Sequence, residues 1–246
     1  MQSTVLRAQL ESVLGGRIST PFTDLDKRVC DTVPTGIAAL DSRIGGLTRG
    51  AVSEIFGPPS SGKTSMLLSI LAAATAREET CAIVDGNDAF SPESAASAGI
   101  DLQRLLWVRC HTLDQTLKVT DLLLQGGGFG VVAIDLSDHP VNTLHSVPLA
   151  TWFRFQRSIE KTPTILMIVS ETGVAKTCAA LALRTRRGYC ELKNAIPSHT
   201  ALLECFVPDV DVVRNRSFNS QFEIRNSQSY VRFHLYSSFS RPGSRP

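Results

Sequence analysis

The six cysteines, Cys30, Cys81, Cys110, Cys178, Cys190 and Cys205, include no CxxC pair, and several lie in apolar runs where a thiol behaves as a small hydrophobe. The expectation is a set of reduced core residues in a cytoplasmic protein. None of the five histidines is paired at the spacing that puts two ligands on one helix face, so no zinc site is expected. No apolar run approaches the length of a membrane span, so no membrane partner is expected. The stretch from Met1 to Gly16 is interrupted by Gln2, Arg7, Gln9 and Glu11, unlike the apolar segment of a signal peptide. Excess charge is also missing: a net +2 implies no nucleic-acid binding by itself, so any such contact must come from local basic clusters, which occur only late in the chain. What is present is the balance of a globular protein, 43% apolar and 20% charged. At 246 residues the chain suits one large domain with small appendages.

The apolar positions 5, 6, 10, 13 and 14 have helical spacing, and Gly15-Gly16 ends that helix. Residues 17–34 read as a polar, irregular connection, giving an N-terminal segment 1–34, a core 35–236, and a disordered Ser-, Pro- and Arg-rich tail 237–246. Within the core, strands are expected at 51–56, 80–85, 105–108, 131–135 and 164–169, alternating with helices at 63–76, 92–98, 113–124 (leucines on one face) and 148–160. Near-continuous apolar strands alternating with helices predict an α/β fold, a mainly parallel sheet covered on both faces. Segments 210–216, 222–225 and 230–236 alternate apolar and polar residues, and are expected as antiparallel strands at one end of that sheet. The glycines at 126–130 precede a strand instead of following one, which marks a connector and not a dinucleotide fingerprint.

The chemistry concentrates at Gly57-Pro58-Pro59-Ser60-Ser61-Gly62-Lys63-Thr64, which matches GxxxxGK[ST] at every fixed position, between an expected strand and an expected helix. Such a P-loop cradles the phosphates of ATP: the glycines let the backbone wrap an anion, amide hydrogens and the helix N-terminus point at it, Lys63 neutralises the outer phosphates and Thr64 offers its hydroxyl to Mg²⁺. Asp135, ending the apolar strand 131–135, is the candidate for the acidic side of the Mg²⁺ shell, and its strand is expected beside the P-loop strand. The alternative for Asp135 is a strand-end aspartate that caps a turn.

Beyond the P-loop, Thr35-Gly36, Leu40-Asp41, Gly45-Gly46-Leu47, Gly50, Glu54 and Gly57 with Ser60 to Thr64 closely resemble the opening of the RecA recombinase core. The resemblance continues through Ala82 to Asp85, Asp88-Ala89, Pro92, 131–135 and 164–169, covering roughly residues 5–236 without the family's extra C-terminal domain. It implies a RecA-like P-loop NTPase core. Departures from the family pattern bear on activity. Asn87 stands where the resemblance implies the glutamate that activates the attacking water, Glu171 replaces the glutamine that senses the γ-phosphate, and Ser94 replaces the tyrosine that would stack on adenine. Slow or absent hydrolysis follows, since an amide cannot accept the proton.

Two basic groups remain. Val212-Val213-Arg214-Asn215-Arg216 resembles the segment whose cations reach a neighbouring protomer's γ-phosphate in recombinase filaments, and strand alternation places Arg214 and Arg216 on one face. A solvated strand face is the alternative. Lys176, Arg184, Arg186, Arg187 and Lys193 surround Tyr189 after the place of the recombinase's second DNA-binding loop, a composition suited to single-stranded DNA; a partner protein, or an ordinary apolar element over 178–183, is the alternative. A shortened, catalytically eroded RecA core with a late arginine-rich segment is similar to the ImuA family. That similarity implies an accessory role in damage tolerance, with an ImuB-like protein and an error-prone polymerase as partners. The competing expectations are a filament-forming recombinase and a RecA-fold regulatory ATPase that does not act on DNA.

Overall fold

The structure is a computed structural model that describes residues 31–193, 202–216 and 230–236. The expected helix over 5–14, the strand over 222–225 and the tail from 237 lie outside these residues. The described compact unit begins at Asp31. Its first element, β1 (Thr32–Val33), pairs antiparallel with β2 (Leu47–Thr48), so the end of the segment read as irregular is a short strand. Between them lies α1 (Ala38–Ile44), entered where Asp41 accepts the Thr35 N–H at 2.8 Å and stopped by Gly45 at φ 77°, the left-handed conformation glycine adopts without penalty.

β3 (Val52–Phe56) leads through the glycine-rich turn into α2 (Lys63–Ala76). β4 (Cys81–Asp85), α3 (Pro92–Ser97), β5 (Leu105–Arg109), α4 (Leu113–Gly126) and β6 (Val131–Asp135) follow. Local caps set these starts: the Ser91 hydroxyl accepts the Ser94 N–H ahead of α3, whose first residue is Pro92, and Thr112 does the same for Gln115 ahead of α4. Next come α5 (Val141–His145), α6 (Leu149–Ile159) and β7 (Ile165–Ser170), then β8 (Ala179–Lys193), β9 (Leu202–Asn215), β10 (Tyr230–Arg232) and β11 (Leu235–Tyr236).

The sheet runs β10-β9-β8-β3-β7-β6-β4-β5, with β11 also on β9. Strands β8, β3, β7, β6, β4 and β5 are parallel, and β9, β10 and β11 extend one end antiparallel, as the sequence pattern anticipated. One face packs Ile55, Ile83, Ala133 and Met167 under α1 and α2 through Leu40, Ile44, Met66, Leu67 and Ile70. The other packs Val52, Val132, Ile134, Leu166 and Ile168 under Trp152, Phe155, Ile159 and Leu124 of α6 and α4. Successive strand residues therefore feed two cores in turn, which is why the strands read as continuous apolar runs.

One expectation is corrected and two are refined. The strand of Asp135 does not adjoin the P-loop strand, because β7 lies between β6 and β3 and pairs with both. The basic segment after Lys176 takes the alternative named for it, an ordinary apolar element: Ala179 to Lys193 is one strand, parallel to β3 and antiparallel to β9. Four leucines of α4, Leu113, Leu117, Leu123 and Leu124, pack on one core as expected, but Leu122 does not join them. Leu122 is 68% exposed, while Thr116, Thr120 and Leu124 are buried.

The connection from β7 to β8, residues 171–178, crosses β3 with only a single 3-10 turn, Lys176–Cys178. Glu54, 2% exposed in the middle of β3, accepts the Val174 and Ala175 N–H groups (3.0 Å for Ala175), so the crossing backbone is satisfied by a side chain of the strand beneath it. Burial pushes the Glu54 carboxyl above its usual range, against the pull of those two amides and of Arg214.

Candidate phosphate-binding site

The GxxxxGK[ST] segment closes the end of β3. Ser60 at φ 58° and Gly62 at φ 88° turn the backbone into the left-handed region, and Gly62 is the residue from which α2 starts. No side chain caps this helix start, which leaves its first N–H groups to an outside acceptor such as an anion. Lys63, 6% exposed, bends its ammonium back to donate to the carbonyls of Gly57 and Pro58, the latter at 3.2 Å. Burial lowers its pKa, opposed by the negative charges of Glu171, Asp135 and Asp138. Thr64 is exposed in the first turn of α2.

The back of the loop rests on the β8–β9 hairpin. Ser61 and Thr185 share a hydroxyl hydrogen bond of 2.6 Å, and Thr185 also donates to the Phe56 carbonyl at 3.3 Å. A Cβ added at Gly57 would lie 2.2 Å from the Thr185 hydroxyl, and one at Gly62 would lie 2.8 Å from the Phe206 ring. Arg187 donates to the Pro59 carbonyl at 3.2 Å. Sequence reasoning missed Thr185 and Phe206, because nothing local marks a residue that touches a loop far away in the chain.

At the neighbouring strand ends, Asp135 accepts the Ser137 N–H at 3.0 Å, the turn cap named as its alternative, and burial raises its pKa. Asp85 is 1% exposed and accepts from Asn87, Ala89 and Phe90 N–H and from the Trp107 indole. These donors outweigh its burial and hold its pKa below the ordinary value. Asn87, with its amide oriented to suit both neighbours, donates to the Gly86 carbonyl at 3.0 Å and accepts the Asp138 N–H at 3.1 Å. Asp88 faces Arg109 at 3.8 Å. His139 packs against Gly86, and burial lowers its pKa.

The basic candidates do not converge. Arg184 lies over the Phe56 ring at 5.8 Å, Arg186 pairs with Asp211 at 2.6 Å, and Arg187 holds Pro59. Lys176 sits in the turn before β8, while the Lys193 side chain lies outside the described residues. Arg214 and Arg216 share a face, as alternation predicts, and donate to the carbonyls of Lys176 and Thr177. Among the described residues no group of three or more His, Cys, Asp or Glu could hold a metal ion by itself, and no helix is long and apolar enough to cross a membrane.

A mainly parallel sheet whose inner strand turns through a glycine-rich anion cradle into a helix defines an α/β protein with a RecA-like P-loop core. The chain belongs to the RecA N-terminal domain family, which matches residues 6–142. It is similar to Protein RecA of Pseudomonas fluorescens (strain SBW25), 36% identical over 129 residues, 52% of this chain and 37% of that protein. Protein RecA of Acidiphilium cryptum (strain JF-5) is 39% identical over 131 residues, 52% of this chain and 38% of its own length. The chain thus spans well under half of the curated relatives it matches. The crystal structure of the RadB recombinase shares the fold at a TM-score of 0.59 and 16% identity, over 84% of this chain and 96% of that one.

Proposed function

We propose that this chain is a RecA-type ATP-binding protein of DNA recombination and repair that hydrolyses ATP slowly or not at all. The donor set fits a magnesium nucleotide: an uncapped helix start at α2, a buried ammonium at Lys63, an exposed hydroxyl at Thr64 and the Asp135 carboxylate, level with Val169 of β7 at the same end of the sheet as Phe56. Gly57 to Thr64 would hold the phosphates, and Thr64 and Asp135 the Mg²⁺. The cation supplies charge neutralisation of the phosphate oxygens. Lys63 would leave its two loop carbonyls to meet the phosphates.

The observation that carries slow turnover is the state of the carboxylates around Asn87. Asn87 is an amide committed to Gly86 and Asp138, Asp85 is consumed by four donors, and Asp88 is turned to Arg109. None of the three supplies a free carboxylate base where the resemblance implies one. An accessory role of the ImuA type, beside an ImuB-like protein and an error-prone polymerase, is the finer form of this reading. Its test is ATP turnover with and without single-stranded DNA; turnover at the rate of an active recombinase would overturn it.

A second reading, filament formation, draws on Arg214 and Arg216. Arg214 pairs with Ala182, level with Glu54, whereas the P-loop leaves β3 beyond Phe56, level with Arg184. Both arginines thus lie back along the sheet from their own phosphate loop, which supports action on a neighbouring copy's nucleotide over action on their own.

A further inference from the structure

The phosphate loop and the β8–β9 hairpin are held together by side-chain hydrogen bonds and by glycines that admit no Cβ. Thr185 is fully buried, with its hydroxyl shared between Ser61 and the Phe56 carbonyl. The Gly57 Cα faces both the Thr185 hydroxyl and the Thr185 carbonyl, with no room for a methyl group. Phe206 and Pro208 of the opposite hairpin arm close on Gly62, and Arg187 reaches Pro59. The hairpin arms are themselves locked: a Cβ at Gly188 would lie 1.6 Å from the Val207 carbonyl oxygen, so the irregular pairing between Arg186 and Tyr189 needs glycine there. Past this point the hairpin presents an exposed Tyr189 and an exposed Cys190.

We propose that Thr185 is a positioning residue for the phosphate loop, and that loop and hairpin form one mechanical unit. Anion binding at the loop tightens the hairpin, and whatever shifts the hairpin changes anion affinity by the same factor, as linkage requires. The inference rests on the nucleotide-binding reading only for the identity of the anion. The hydroxyl of Thr185 fixes Ser61, Arg187 and Phe206 of the same hairpin meet Pro59 and Gly62, and every loop residue so held flanks the amides that would face phosphate. A basic or aromatic contact made at Tyr189 is thereby transmitted through a few residues of strand to the site.

The test uses the full chain with Cys30→Ser; of the remaining cysteines Cys190 is exposed and Cys81, Cys110, Cys178 and Cys205 are buried. Thr185→Val removes the hydroxyl at constant shape, and Thr185→Ser keeps it. In the nucleotide-free protein, Thr185→Val is expected to speed amide exchange over 59–63 by about tenfold, the loss of one buried hydrogen bond, while 81–85 is unchanged and Thr185→Ser resembles wild type. Mg-ATP should bind Thr185→Val about tenfold more weakly in calorimetry, and should slow alkylation of Cys190 in wild type but not in Thr185→Val. Unchanged exchange over 59–63, or faster exchange throughout the protein, overturns the coupling. A wild type and a Lys63→Ala variant that bind Mg-ATP equally overturn the nucleotide reading instead, and the exchange measurement then decides the coupling alone.

Discussion

Asp85→Asn isolates the most heavily used carboxylate of the site region. Its two oxygens accept four hydrogen bonds, Oδ1 from the Asn87 and Ala89 amides and Oδ2 from the Phe90 amide and the Trp107 indole. An asparagine must point its NH2 group at one of those pairs, whichever way it is turned, and two donors then lose their acceptor. At about 1–3 kcal/mol for each buried donor left unpaired, the substitution should cost roughly 2–6 kcal/mol, a large part of the ~5–15 kcal/mol that holds a domain folded. The control is Asp88→Asn, whose exposed pair with Arg109 should be worth no more than about 0.5 kcal/mol. Urea unfolding followed by tryptophan fluorescence measures both, since Trp107 reports on the Asp85 turn itself. The pH dependence fixes the cause. The Asp85 pKa is lowered in the folded protein, so its contribution is full above the ordinary value of 3.8 and is lost as pH falls through the folded value. The gap between wild type and Asp85→Asn should therefore narrow in acid. A variant within 0.5 kcal/mol of wild type at pH 7 would refute the claim that this carboxylate holds the turn carrying Asn87.

Lys63→Ala should weaken Mg-ATP binding by about tenfold or more in calorimetry, since the phosphates lose their main side-chain counter-ion; equal affinities would mean the loop takes no nucleotide. Asn87→Glu should raise ATP turnover in a coupled phosphate-release assay, provided the carboxylate reaches the water that the amide cannot deprotonate. Changing Arg214 and Arg216 together to Ala should abolish nucleotide-dependent self-association in light scattering with a non-hydrolysable ATP analogue, while monomer affinity stays near wild type. Wild-type protein that remains monomeric with nucleotide and DNA would remove the filament reading.

The local elements were legible because their signals are local. The helix from Lys63 to Ala76 and the strand from Val131 to Asp135 have the bounds read from the sequence. Strand order was not legible, because every strand buried on both faces has the same apolar texture, and nothing in Ile165 to Val169 says that it separates β6 from β3. On α4 a single leucine, Leu122, falls off the packed face, for a different reason. Thr116 and Thr120 return their hydroxyl hydrogens to the carbonyls four residues back, at 3.0 and 2.7 Å, so their methyls can enter the core that a leucine count assigns to Leu122. Within the candidate site the glycine-lysine motif was fully visible. The partners of the motif were not, although one clue stood in plain view: Glu54, a lone charge in a five-residue buried strand, must be answered by donors from elsewhere.

The position of β3 bears on how such a protein changes over time. The family match ends at residue 142, yet both neighbours of the P-loop strand, β7 on one side and β8 on the other, come after that point. A fragment cut there would keep every letter of the motif on a strand with two open edges. The recognisable half of the chain therefore specifies the chemistry, and the half outside the match supplies the walls that shape it. Drift in that second half can retune the phosphate loop through its flanking strands while the signature stays letter-perfect, so an intact motif is no measure of how well a relative of this protein still grips its ligand.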